Sequence, residues 1–226
     1  MPSPIIGYFH ICQKGDWKRS FHMIMDKIRE SGLYNAATEI RCGVLTPDKS
    51  VFDDEELIDP KLKIVYVGNW SEYERPTLLH MRGAAVANTD PVDTKYFYCH
   101  TKGLRWFGTE YESFVIDWIN LLIYWNIERW INAADVLNKY DTYGCEYLCG
   151  EHLPPHYSGN FFWTTGHHLK TLPSVIGTHY NDPEFWLFYG GNFLSKPNFH
   201  NAFSSNLAQF GGCHYYMAFP ESLYRK

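Results

Sequence analysis

Six consecutive residues, His100-Thr101-Lys102-Gly103-Leu104-Arg105, set an imidazole, a hydroxyl, an ammonium and a guanidinium side by side, directly after the apolar run KYFYC. A cationic turn at the end of a strand, with Gly103 permitting close backbone approach, suits an anionic group such as a diphosphate. The plain alternative is a polar turn with Lys102 and Arg105 in water. A second group, His156 to Trp163 (HYSGNFFW), sets Ser158, Gly159 and Asn160 against Phe161, Phe162 and Trp163. Paired donors and acceptors beside an aromatic face are what a sugar ring needs; the alternative is a glycine turn ahead of a buried strand. In a third, Asn181-Asp182-Pro183-Glu184-Phe185-Trp186, Asp182 reads as an N-cap and Pro183 as the first helical residue. Glu184 then falls in the first turn, where a carboxylate is stabilised and can serve as a base. The fourth, Tyr73-Glu74-Arg75-Pro76-Thr77-Leu78, follows another strand-like run. Glu74 and Arg75 either pair on the surface or reach a nucleotide. Cys145, Cys149, His152 and His156 lie too close together for a zinc-finger loop, and Pro154-Pro155 interrupts them. No Walker loop, GxSxG elbow, HExxH or dinucleotide fingerprint is present.

These residues need a frame, and the chain alternates strand-like with helix-like segments. Strands are predicted at Ile5–Cys12, Glu39–Leu45, Lys61–Gly68, Lys95–Cys99 and Cys145–Cys149, with Ser158–Trp163 extended. Between the first two, Phe21, Ile24, Met25 and Ile28 recur at helical spacing, with Asp16 as N-cap and Gly32 just past the end. Helices are predicted from Arg75-Pro76 to Val86 and over Thr109–Tyr140, with short ones at Gly166–Leu172 and Pro183–Tyr189. The acidic stretch Asp53–Glu56 reads as solvated surface, and the tail from Asn192 has no clear period. Alternation of this kind predicts an α/β domain with a mostly parallel sheet and helices on both faces. Ligands of such sheets sit at the carboxyl ends of the strands.

Length and composition agree with a single globular domain over residues 1–226. Lys plus Arg is 20 and Asp plus Glu is 25, so the net charge is −5. Broad binding to a nucleic-acid backbone is therefore not expected. Aromatics reach 18%, with 17 Tyr, 15 Phe and 8 Trp. The longest apolar region, Phe114–Trp130, is interrupted by Asp117, Asn120, Asn126, Glu128 and Arg129, so no membrane span is expected. Met1-Pro2-Ser3-Pro4 carries no basic residue ahead of the first apolar run, and a signal peptide is not expected. The six scattered cysteines read as free thiols, which points to a reducing, cytoplasmic setting.

Taken in order, the motifs resemble those of small glycosyltransferases marked by His-Thr-Lys-Gly, found in bacteria and large DNA viruses, and of the GT-A-like domain of a chlorella virus that decorates its capsid. The matching residues are Tyr73, Glu74, Pro76, Thr77 and Leu78; His100 to Gly103; Trp118; Ser158 to Trp163; and Glu184 with Trp186. The resemblance covers roughly residues 60–190. It implies a GT-A-type α/β domain, with a nucleotide-binding part at about 1–105 and an acceptor and sugar part at about 106–226. It implies transfer of a hexosyl or deoxyhexosyl group from a nucleotide sugar, most often a UDP-sugar, to a glycan or glycoprotein. On that reading His100, Thr101, Lys102, Gly103, Arg105 and Glu74 contact the nucleotide diphosphate. Ser158, Gly159, Asn160, Trp163 and Trp186 line the sugar or acceptor subsite, and Glu184, with Asp182 as rival, is the base. Many such enzymes hold Mn²⁺ or Mg²⁺ on Asp-x-Asp after the fourth strand, but here that slot reads His100-Thr101-Lys102. Asp90 and Asp93 precede the strand and should lie at its other end. A metal requirement is therefore left open. The alternatives are a non-catalytic carbohydrate-binding protein and a nucleotide-binding hydrolase.

Overall fold

The computed structural model describes residues 3–49, 55–189 and 197–225; Met1, Pro2, Asp53 and Asp54 fall outside them. Strands β1 (Ile5–Cys12), β2 (Glu39–Thr46), β3 (Leu62–Asn69) and β4 (Lys95–His100) run parallel in the order β3-β2-β1-β4. The sheet continues through β8 (Phe162–Thr165), antiparallel to β4 and to β5 (Thr142–Gly144), and ends at β9 (Phe199–Asn201), parallel to β5. The result is a single α/β domain on a seven-stranded, mostly parallel mixed sheet. Two further strands, β6 (Tyr147–Gly150) and β7 (Leu153–Tyr157), form a separate antiparallel ribbon.

Side chains of β1 alternate between two cores, as the period of a strand requires. Ile5, Phe9 and Ile11 enter a core with α1 (Trp17–Glu30) and α4 (Glu112–Ile123). Ile6 and Tyr8 enter the opposite core with α3 (Arg75–Val86) and α6 (Gly166–Thr171). The amphipathic stripe of α1 is buried as its spacing predicts, Asp16 accepts a hydrogen bond from the Arg19 N–H, and Gly32 takes φ 81 just past the helix. On the other face, a Cβ at Gly43 would collide with Thr77 Oγ1. Glycine there lets α3 settle against the sheet, and the β2–β3 register shifts at the same point.

Several boundaries differ from the sequence expectation. The predicted helix 109–140 is α4, a π-helical turn over Tyr124–Glu128, and α5 (Trp130–Val136). The predicted strand 145–149 is broken at Glu146, which has φ 56, so that only Tyr147–Gly150 is strand. Cys145 is buried between β5 and β6, and Cys149 is exposed on β6. In 158–163, residues 158–160 make a turn and the strand begins at Phe162. Helix α7 is Asp182–Trp186, capped by Asn181 rather than Asp182.

Asp90 lies at the end of the sheet remote from the catalytic-looking residues, held by Arg41 at 2.5 and 2.8 Å and by the Tyr96 hydroxyl at 2.9 Å. Burial alone would raise this carboxyl, but the hydrogen bonds from Arg41 and Tyr96 outweigh it and hold it below the ordinary value of 3.8. Its folded pKa is depressed, so its share of stability is present above about pH 4 and is lost as pH falls through the lower folded value. Acid unfolding monitored by circular dichroism should therefore show a step below the ordinary carboxylate range, and Asp90→Asn should flatten that step.

Candidate functional site

The carboxyl ends of β1 and β4 open into a cavity of about 840 Å³. Its wall includes His100, Thr101, Lys102, Gly103, Arg105, Glu74, Ser158 and Glu184, which come from four separate stretches of sequence. The turn after β4 is fixed from two sides. The Thr101 N–H donates to the His10 carbonyl at 2.9 Å, and Thr101 Oγ1 accepts from the Cys12 N–H at 3.0 Å. Ser20 on α1 accepts from the Lys102 N–H at 2.8 Å and donates to the Lys102 carbonyl at 3.0 Å. Gly103 follows at φ 80, where a Cβ would meet Val115 at 2.7 Å, so the turn can pack against α4 only as glycine.

This clamp leaves the Lys102 side chain 6% exposed, with its ammonium 4.0 Å from the Trp118 ring centre. The ammonium has no hydrogen-bond or ion-pair partner among the described residues. Burial lowers its pKa, while the carboxylates of Glu184 and Glu74 oppose the shift. A buried cation answered only by a ring face and distant carboxylates is costly, and it is available to an incoming anion.

Glu74 sits opposite. Its Oε2 accepts from the Tyr98 hydroxyl at 2.6 Å and from the Asn160 amide at 2.5 Å. Arg75 does not pair with it; it donates instead to the carbonyls of Gly177 and His179 at 2.6 Å each. His100 Nε2 lies 3.0 Å from the Gly159 carbonyl, and burial lowers this ring to a pKa of about 4, so it is neutral at physiological pH. His10, buried beside it with Nδ1 2.8 Å from Thr77 Oγ1, is likewise pushed down to about 4 by burial.

Not every expected residue reaches the cavity. Gly159 and Asn160, at φ 94 and 54, form the turn behind the wall; Asn160 is 1% exposed and acts through Glu74. Trp163 is fully buried, tilted on Phe97 at 5.3 Å, and its indole N–H donates to the Asn126 carbonyl at 2.7 Å. Trp186 is buried too, its indole donating to the Pro173 carbonyl at 3.1 Å. Both tryptophans are core residues in this structure and are corrected from the expected sugar subsite. Asp182 turns back to accept from the His179 N–H at 2.7 Å and does not line the cavity, whereas Glu184, two residues further on, does. Trp163→Phe should accordingly cost about 1–3 kcal/mol of stability through the lost bond and volume and leave ligand affinity unchanged, as thermal melting and calorimetry would show.

Other cavity residues were not singled out from sequence. His10 and Cys12 end β1 and Lys14 follows it, and Trp70 and Ser71 follow β3, so the rule about strand ends could have found them. Tyr180 and Tyr215 carry no such signal. The segment around Tyr215 is pinned by a buried polar cluster: Glu146 accepts from the Ser205 N–H and hydroxyl at 2.5 and 2.7 Å and lies 3.2 Å from His214. His214 in turn stacks on Trp118 at 5.5 Å.

Among the described residues no group of three His, Cys, Asp or Glu is placed to hold a metal ion. Asp90, engaged by Arg41 at the other end of the sheet, cannot serve the Asp-x-Asp role. No helix among the described residues is long and apolar enough to cross a membrane, and the six cysteines are free. No protein-family model matches the chain, and no curated protein matches it in sequence.

Proposed function

We propose that this protein is a glycosyltransferase that moves a sugar from a nucleotide-sugar donor, such as a UDP-sugar, to a glycan or glycoprotein acceptor. The observation that carries this reading is the presence, in one cavity at the strand ends, of the Lys102 ammonium, which has no hydrogen-bond or ion-pair partner among the described residues, and the Glu184 carboxylate. A transfer from a nucleoside diphosphate needs both. The leaving diphosphate needs a cation, and the acceptor hydroxyl needs a base. The parallel strands β3-β2-β1-β4 come first in the chain and the mixed part later, in keeping with a nucleotide-binding part ahead of an acceptor part.

In a direct displacement the acceptor oxygen bonds to the anomeric carbon as the bond from that carbon to the phosphate oxygen breaks. The acceptor proton passes to Glu184, and the nucleoside diphosphate leaves with its charge met by Lys102 and by Arg105 at the rim. No step is routed through a metal. Free thiols among the described residues agree with action in a reducing compartment such as the cytoplasm.

The test is incubation with a panel of nucleotide sugars and oligosaccharide or glycoprotein acceptors. Release of nucleoside diphosphate that rises with acceptor supports transfer. Release independent of acceptor would make the protein a hydrolase, and sugar binding without nucleotide binding would make it a carbohydrate-binding protein.

A further inference from the structure

Glu74 is held too carefully for a surface carboxylate and carries the wrong charge for a diphosphate contact. Tyr98 and Asn160 both donate to the same oxygen, Oε2. That leaves Oε1 without a hydrogen bond among the described residues, in a side chain 17% exposed at the cavity wall. His100 Nδ1 lies 4.0 Å from Oε1. The ring is neutral and holds one proton. We assign it to Nε2, whose 3.0 Å contact with the Gly159 carbonyl is the shorter of the two carbonyl contacts; Nδ1 stands 3.2 Å from the Thr101 carbonyl. Nδ1 then presents a lone pair. Glu74 Oε1 and His100 Nδ1 then stand 4.0 Å apart at the cavity wall as two acceptors, and neither has a donor to give.

A gap lined by acceptors takes a donor. Phosphate oxygens at neutral pH are acceptors, so the diphosphate gains nothing here and is repelled by Glu74. A sugar hydroxyl gives a proton and can accept none that this gap offers. The geometry points to Glu74, with His100 beside it, as the pair that reads a hydroxyl of the transferred sugar, while Lys102 serves the phosphates. This assignment rests on the glycosyltransferase reading, and it makes Glu74 a specificity-determining residue. Asn160 and Tyr98 are positioning residues that fix which carboxylate oxygen faces the sugar.

Glu74→Gln is close to isosteric. Its amide oxygen can keep both bonds from Tyr98 and Asn160, which places the NH₂ where Oε1 stood and turns an acceptor into a donor. Calorimetry on the wild type and this variant would use UDP, UDP-glucose, UDP-galactose, GDP and GDP-mannose. The sugar nucleotide that the wild type binds best should lose affinity roughly tenfold or more in the variant, the scale of one charge-assisted hydrogen bond, while its parent nucleotide stays within about twofold. In the wild type, an analogue of that sugar nucleotide with the contacted hydroxyl replaced by hydrogen should show the same loss, and the variant should not lose further with it. Equal weakening of nucleotide and sugar nucleotide would overturn the assignment in favour of a nucleotide contact. No change in a folded variant would leave only water in the gap and overturn it as well. Should the variant fail to fold, the hydroxyl-deleted analogues on the wild type decide alone, and a flat series overturns the assignment. Wild-type protein that binds none of the nucleotides or sugar nucleotides would instead bring down the glycosyltransferase reading itself.

Discussion

Replacing Glu184 with glutamine is expected to lower turnover by roughly 10²–10⁴-fold, the usual contribution of a general base, while nucleotide binding persists. The two carboxylates at the start of α7 divide by direction. Asp182 accepts a backbone N–H at 2.7 Å and is spent on the turn before the helix, whereas Glu184 lines the cavity. Glutamine keeps the shape of the side chain and removes its capacity to take a proton. Steady-state turnover with the preferred donor measures the effect, and calorimetry with the nucleoside diphosphate checks that the site is intact. The anomeric configuration of the product, read by NMR, belongs in the same experiment. Near-wild-type turnover would remove Glu184 as the base, and a retained configuration would remove direct displacement.

The contrast between Glu184 and the tryptophans shows what kind of information the sequence holds. β1 and β4 are legible to within a residue or so because a strand buried on both faces is a nearly continuous apolar run, as IIGYFHIC and KYFYC are. The ends of such strands can be found, and His100 to Arg105 follow directly. The break in the long helix is not legible. It depends on a widened turn at Tyr124–Glu128, which leaves the Asn126 carbonyl free to accept the Trp163 indole, a contact across 37 residues. Strand β7, Leu153–Tyr157, reads as a breaker because of Pro154 and Pro155. Those prolines are tolerated in a two-stranded ribbon, where one side of each strand has no partner.

The aromatic content of Ser158 to Trp163 suggests a sugar platform, but alternation decides which rings face inward, and that needs the register of β8. With Phe97 opposite Trp163 in the β4–β8 pairing, the indole is committed to the core. The polar half of the same segment bears on the cavity one step removed: Asn160 reaches it through Glu74, 86 residues earlier in the chain. Tyr215 is placed by Glu146, Ser205 and His214, single residues with no periodic pattern between them. Pairings of this kind are set by tertiary packing and leave no local trace.

Lys102→Met should weaken nucleoside diphosphate binding about ten- to a hundredfold and at the same time raise the melting temperature of the free protein. The two signs together separate a functional lysine from a structural one. Methionine preserves the apolar stem that packs toward Trp118 and deletes the charge. Burying that charge costs several kcal/mol before any ligand arrives, while a ring at 4.0 Å returns about 0.5–2 kcal/mol. The difference is a destabilisation that the fold carries at the cavity wall, so removing the ammonium should relieve it. A lysine that served the fold would do the opposite and lower the melting temperature when replaced. The pH dependence has a matching sign. Burial depresses the Lys102 pKa below its ordinary 10.5, and on the proposed reading the charged form binds the diphosphate. Wild-type affinity should therefore decline with rising pH before the ordinary lysine range is reached, and the decline should be absent in Lys102→Met. Calorimetry with UDP across the alkaline range, beside thermal melts of both proteins, measures all three effects. Unchanged UDP affinity in the variant would exclude Lys102 as the diphosphate contact.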